Sequence, residues 1–106
     1  MSKKQLFYLR VHQIQEEYLV TVCDAELLGK TICEGELELC VNERFYRGEL
    51  SSLEDCLKQM DKATSLNLVG KSIVEAAIKN RLVNELSVKW INCNENGQVA
   101  LAMLIK

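Results

Sequence analysis

Hydrophobic and polar positions alternate near the start of the chain. Across residues 6–12, Phe7, Leu9 and Val11 fall on one face and Leu6, Tyr8, Arg10 and His12 on the other, the period of a β-strand. Residues 18–23 are rich in β-branched and aromatic types and predict a second strand. The polar link from Gln13 to Glu17 makes these two an antiparallel hairpin. Asp24 to Gly29 reads as one helical turn, with Asp24 accepting from the amides that open it and Gly29 supplying a left-handed stop. A third strand is expected over residues 36–41, with Leu37, Leu39 and Val41 inward and Glu36 and Glu38 outward.

After a connector from Asn42 to Glu49, the period lengthens. Ser51 and Glu54 have the spacing of a capping box, and Leu53, Cys56, Leu57, Met60 and Ala63 form one apolar helical stripe. The segment Thr64 to Val69 is expected to interrupt before Gly70. A second helix follows over residues 71–80, with Val69, Ile73, Ala77 and Ile78 marking its inner side. Leu86, Val88 and Trp90 alternate again. Asn96-Gly97 is a strong hairpin signal, because both residue types accept positive φ. The run from Val99 to Ile105 is apolar on both faces and predicts a central strand covered on each side. The pattern implies one α+β domain over residues 1–106, in the order β-β-β-α-α-β-β. Its sheet is largely antiparallel, of about five strands, with two helices packed on one face.

Charge narrows the function classes. The net charge of −2 lacks the basic footprint of a dedicated nucleic-acid binder, and no DNA partner is expected. Residues 1–50 carry −3 and residues 51–106 carry +1, a gradient that permits RNA contact by the second half. The N-terminus has no signal-peptide pattern, and no apolar run reaches bilayer length, so a cytoplasmic location without membrane contact is expected. The five cysteines contain no C-x-x-C pair and are expected to be reduced, buried core residues. His12 is the sole histidine, so no metal site is assigned; no cofactor motif is present either.

Ser65-Leu-Asn-Leu-Val-Gly70-Lys71-Ser72 ends like a phosphate-binding loop. That motif needs a glycine where Ser65 stands and a strand before it, whereas a helix is expected there, so nucleotide hydrolysis is rejected. A helix opening at Gly70 would still present the amides of Lys71, Ser72 and Ile73, with Lys71 beside them, to a phosphate or carboxylate. The plainer alternative is a tight helix–helix turn at Gly70, with Asn67 capping the backbone. Asp24, Glu26 and Glu34 gather in sequence around Gly29 and Lys30, either for acid–base work or as caps and solvated surface. A nucleophile pair of His12 with Cys23 or Cys40 has nothing to bring its members together. Phe45-Tyr46-Arg47-Gly48 sets two aromatics beside a cation, which serves base stacking or, more plainly, the edge of the core. Trp90 is expected in the core.

Four blocks in order carry a family resemblance: Val22-Cys-Asp-Ala-Glu-Leu-Leu-Gly-Lys30, Glu34-Gly-Glu-Leu-Glu-Leu39, Phe45-Tyr-Arg-Gly-Glu49 and Ala63-Thr-Ser-Leu-Asn-Leu-Val-Gly-Lys71. Together they resemble the archaeal family catalogued as domain of unknown function 424, over roughly residues 6–104. The resemblance implies a small archaeal cytoplasmic α+β protein. It supplies no activity, cofactor or catalytic residue. Two functional expectations stand beside it. One is a non-enzymatic accessory protein of RNA or a ribonucleoprotein, in translation, with ribosomal components or RNA as partner and Tyr46, Arg47 and Lys71 at the contact. The other is a small enzyme or anion-binding protein using Asp24, Lys30 and Glu34 near Asn67 and the helix end at Gly70.

Overall fold

The computed structural model describes residues 5–93 and 97–105. The first hairpin forms where the alternation predicts it. Strand β1 (Leu6–Ile14) pairs antiparallel with β2 (Glu17–Asp24), and Gln15 turns the chain at φ 56°. Phe7 and Leu9 pack on the same side as Val20 and Val22, in the larger of two apolar clusters. A 3-10 turn at Ala25–Leu27 follows, and Gly29 has the positive φ of 82° expected of it.

The chain next makes a small separate hairpin, β3 (Thr31–Glu34) with β4 (Leu37–Cys40). The strand expected over residues 36–41 is therefore half of this two-stranded unit and not part of the main sheet. Its alternation is real but shallow, because Leu37 stays exposed while Ile32 and Val41 are buried. One helical turn, α1 (Glu43–Tyr46), leads into a short strand, β5 (Glu49–Ser52), paired with β1.

Helix α2 (Leu53–Lys62) opens one residue later than the capping box implies. Ser52, not Ser51, is the cap, its Oγ accepting from Asp55 N at 3.2 Å. Both serines lie within β5, opposite Phe7 and Leu6, and the Ser51 hydroxyl donates back to Glu49 O instead of serving the helix. The segment expected to interrupt the helices is a strand, β6 (Ser65–Val69). Leu66 and Leu68 point to the larger cluster while Asn67 and Val69 point away, so five residues of alternation suffice once β2 and a later strand flank them. Helix α3 (Lys71–Lys79) buries Ile73, Val74 and Ala77. Leu86, expected in a strand, is 93% exposed in a second 3-10 turn, Glu85–Ser87. Strands β7 (Lys89–Cys93) and β8 (Gly97–Ile105) pair as the predicted terminal hairpin; Gly97 has φ 70°, and Asn96 lies outside the described residues.

The main sheet has six strands in the order β5-β1-β2-β6-β8-β7, antiparallel except for the β2–β6 pair. Strands β5, β2, β6 and β7 thus run one way and β1 and β8 the other. Helix α2 connects β5 to β6 and α3 connects β6 toward β7, both advancing the same way across the sheet. Two crossovers of one hand must lie on one face, and both helices do pack against the larger cluster. The fold is α+β. The second face carries the smaller cluster, in which Cys23, Val69, Ile91 and Val99 meet Leu27, Ile32, Val41 and Tyr46. Strand β8 is interior in its pairing, yet Met103 and Ile105 are 71% and 89% exposed. The hairpin β3–β4 and α1 cover the second face near the start of β8 and leave its end open. Among the described residues no helix is long and apolar enough to cross a membrane.

Candidate functional site

The parallel pair β2–β6 sets up the site. Beyond Asp24 the chain leaves β2 toward the second face of the sheet, into the smaller cluster. Beyond Val69 it leaves β6 toward the first face, into α3. Adjacent parallel strands whose continuations diverge to opposite faces open a crevice at their carboxyl ends, the usual place for a ligand in sheets with crossover helices. A cleft of about 480 Å³ lies there, lined by Asp24, Glu26, Leu27, Lys30, Lys71, Ser72, Gln98 and Val99.

Asp24 forms the floor. It is 2% exposed, and its two oxygens accept from Ser72 N at 3.0 Å and Ile73 N at 3.1 Å. The expectation that Asp24 caps its own turn is corrected: that turn has no side-chain cap, and Asp24 instead caps α3 from another strand. Burial pushes its carboxyl from 3.8 up to about 6, the amides of Ser72 and Ile73 pull back down, and Glu26 adds a smaller push upward. Gly70 makes the close approach possible. A Cβ there would lie 2.3 Å from Asp24 Cγ, and φ is 129°, a conformation glycine adopts without strain.

These contacts change the chemistry expected at the helix end. The amides of Ser72 and Ile73 already have a carboxylate, so they are not free to hold an external anion. Gly70 joins a strand to a helix and is no helix–helix turn. A strand does precede Gly70-Lys71-Ser72, although Ser65 still stands where a phosphate loop needs its first glycine. The charges able to meet a ligand are side chains on the cleft walls: Lys30 and Lys71 as cations, Glu26 as an anion, Ser72 and Gln98 as neutral hydrogen-bonding groups.

Of the residues singled out from sequence, Asp24, Lys30, Gly70 and Lys71 come together here. Glu34 does not: its carboxylate accepts from Asn92 N and ties β3 to β7. Asn67 caps nothing; it lies on the second face and accepts from Tyr46 Oη at 2.6 Å. The Tyr46 ring is buried, which pushes its hydroxyl up to about 12, so it offers no face for stacking a base. Arg47 is exposed just beyond α1 and lines no part of the cleft. Cys23 is buried under the smaller cluster and its thiol is pushed up to about 12, chiefly by burial, while His12 is stacked on Phe45. Gln98 escaped sequence reasoning, since nothing in Gly97-Gln98-Val99 departs from an ordinary strand start. Ser72 carried a signal in Gly70-Lys71-Ser72. A neighbouring groove of about 510 Å³ along Phe7, Leu53 and Leu57 is largely apolar, and one of its polar groups, Ser52, already serves as the α2 cap.

No curated protein sequence matches the chain. In fold it is similar to the crystal structure of an uncharacterized conserved protein from Methanopyrus kandleri, with a TM-score of 0.74 and 19% identity over 93% of this chain and 90% of that one. The family profile for the protein of unknown function DUF424 matches residues 12–101, a span that includes both β2 and β6 and the cleft between their ends, and the chain belongs to that family.

Proposed function

We propose that the protein binds a small polar ligand in the cleft at the carboxyl ends of β2 and β6. Lys30 and Lys71 hold an anionic group of that ligand, and Glu26 receives a donor or cationic group. One observation carries the reading. Three stretches far apart in sequence, at 24–30, 71–72 and 98–99, bring side chains of both charge signs to the point where the parallel strands diverge. The cleft volume of about 480 Å³ falls in the range of small-ligand sites. Asp24 belongs to the scaffold of this site and not to its ligand set, because both of its oxygens serve α3.

A ligand with a carboxylate or phosphate at one end and an amine or hydroxyl at the other fits this charge pattern. The test is a thermal-shift panel of free amino acids, nucleoside monophosphates, short dicarboxylates and inorganic phosphate, followed by calorimetry on any class that raises Tm. Lys30→Gln and Lys71→Gln should each weaken binding about tenfold, the loss of one charge-assisted contact. A panel that leaves the wild type unshifted, or binding that survives both substitutions, defeats the proposal.

A further inference from the structure

A second charged surface lies away from the cleft, on the sheet face opposite α2 and α3. Arg10 points to that face from β1, in register with Thr21. Its guanidinium donates to the carbonyl oxygen of Arg44, so α1 lies directly over it. Arg44 and Arg47 are three residues apart along that turn, the spacing that brings two side chains to one side of a helix. Gly48 fixes the approach. A Cβ there would fall 2.0 Å from Leu9 O and 2.9 Å from Arg10 Cβ, so only glycine lets the chain after Arg47 run this close to β1.

All three arginines are exposed. The nearest acids in sequence are directed elsewhere. The Glu43 carboxylate lies against Gly29. Glu49 sits opposite Leu9 in the β5–β1 ladder, which places it on the helix-bearing face. Beside the guanidiniums the rings of His12 and Phe45 stack at 5.1 Å and 24°. Arg10 and His12 are two residues apart on one face of β1, and His12 is lowered from 6.5 by burial first and by the Arg10 charge second.

We infer that this flank binds single-stranded RNA, with Arg10, Arg44 and Arg47 on successive phosphates. An arginine fork matches two phosphate oxygens at once; Arg44 and Arg47 present such forks, and Arg10, one of whose nitrogens serves Arg44 O, adds a third cation, so the flank defines a footprint of a few nucleotides. The overall charge of −2 provides no broad positive field for a duplex, so a short local contact is what the molecule can offer. Unpaired segments are RNA's ordinary recognition surface, and their phosphates are the part of the strand that these cations can meet. Three phosphate contacts to a single strand give a log–log salt slope of about −2, so affinity falls about twentyfold between about 50 and 200 mM salt.

The experiment is fluorescence anisotropy with an unstructured ten-nucleotide RNA. Wild type should bind with that salt slope. The double variant Arg44→Gln/Arg47→Gln removes two exposed side chains; it should keep its Tm, lose about tenfold or more in affinity at low salt, and flatten the slope to about −0.7. Arg44→Lys/Arg47→Lys keeps the charge and loses the forks, so the slope should persist while affinity drops. Lys71→Gln, in the cleft, should leave RNA binding unchanged. The inference is overturned if wild type fails to bind at low salt or if the glutamine variant binds equally well. It is overturned too if duplex DNA, single-stranded DNA or a polyglutamate peptide binds as tightly as the RNA. Each of these outcomes leaves the cleft proposal untouched, because Lys30 and Lys71 line a different surface.

Discussion

Asp24 supports both the cleft and α3, and Asp24→Asn isolates its charge. Two opposing effects meet there. Removing the charge relieves the cost of burying it, while the new amide leaves at most one oxygen for the two N–H groups of Ser72 and Ile73. At a single pH these effects partly cancel, so the absolute stability of the variant is a poor test. Its change with pH is a sharp one. The folded-state value of Asp24 is raised from 3.8 to about 6. Below about pH 3.8 the group is protonated whether the chain is folded or not, and its folded form carries no burial cost. As pH rises through about 6 the folded protein must ionise a buried carboxyl, and the stability present at low pH is lost. A carboxyl raised from 3.8 to about 6 corresponds to about 3 kcal/mol. Asparagine does not titrate, so the variant lacks this loss.

The quantity to measure is the difference in unfolding free energy between Asp24→Asn and wild type, from urea titrations followed by Trp90 fluorescence. Titrating groups that do not sense the Asp24 charge act alike in both proteins and drop out of that difference. Between about pH 3.5 and 7 it should move by about 3 kcal/mol in favour of the variant. A difference that stays constant across the window refutes the assignment of a raised, buried carboxyl. A difference that moves the other way would mean that the amides of Ser72 and Ile73 outweigh burial.

Gly70→Ala should destabilise by about 2–3 kcal/mol, because its Cβ would lie 2.3 Å from Asp24 Cγ at φ 129°; urea midpoints read the loss directly. Ser52→Ala should cost about 1 kcal/mol by removing the α2 cap, whereas Ser51→Ala, whose hydroxyl donates only to the nearby Glu49 O, should fall within about 0.5 kcal/mol of wild type. Cys23 and Cys56 are buried with thiols pushed up to about 12, so iodoacetamide at about pH 8 should modify exposed Cys40 well before either, as peptide mass spectrometry would show. Early loss of the Cys23 thiol would contradict its place under the smaller cluster.

Periodicity made most of the elements legible. The β1–β2 hairpin, both long helices and the terminal hairpin follow from alternation and from the stripes of α2 and α3. The α+β class came with them. Length defeated the reading of β6. Five residues between two helices look like a linker, and only pairing on both sides turns Leu66 and Leu68 into core. The same shortage hid β5 and misplaced the α2 cap, since Ser51 and Ser52 look alike in sequence and only the extension of β5 through Ser52 sets which of them precedes the first helical residue. The run Val99 to Ile105 misled in the other direction. Apolar residues on both faces implied cover on both faces, but the β3–β4 hairpin is too small to reach Met103 and Ile105.

The candidate site was legible as residues and illegible as a relation. Asp24 and Gly70 each look like local punctuation, a cap and a stop, and each has a sufficient local explanation in sequence. In the fold they explain one another. The carboxylate replaces the ligand that an open helix N-terminus would take, and the glycine is the void that lets it in. On the proposed reading, that exchange moves ligand chemistry off the backbone and onto Lys30, Lys71 and Glu26 on the cleft walls, while Asp24 ties the end of β2 to the start of α3. On that reading, a buried charge retained at a cost of about 3 kcal/mol has a return beyond stability, the anchoring of one wall of the cleft. On this argument Asp24→Asn should disturb ligand affinity even at a pH where its stability matches wild type, because the anchor and the energy are separable properties of the same carboxylate.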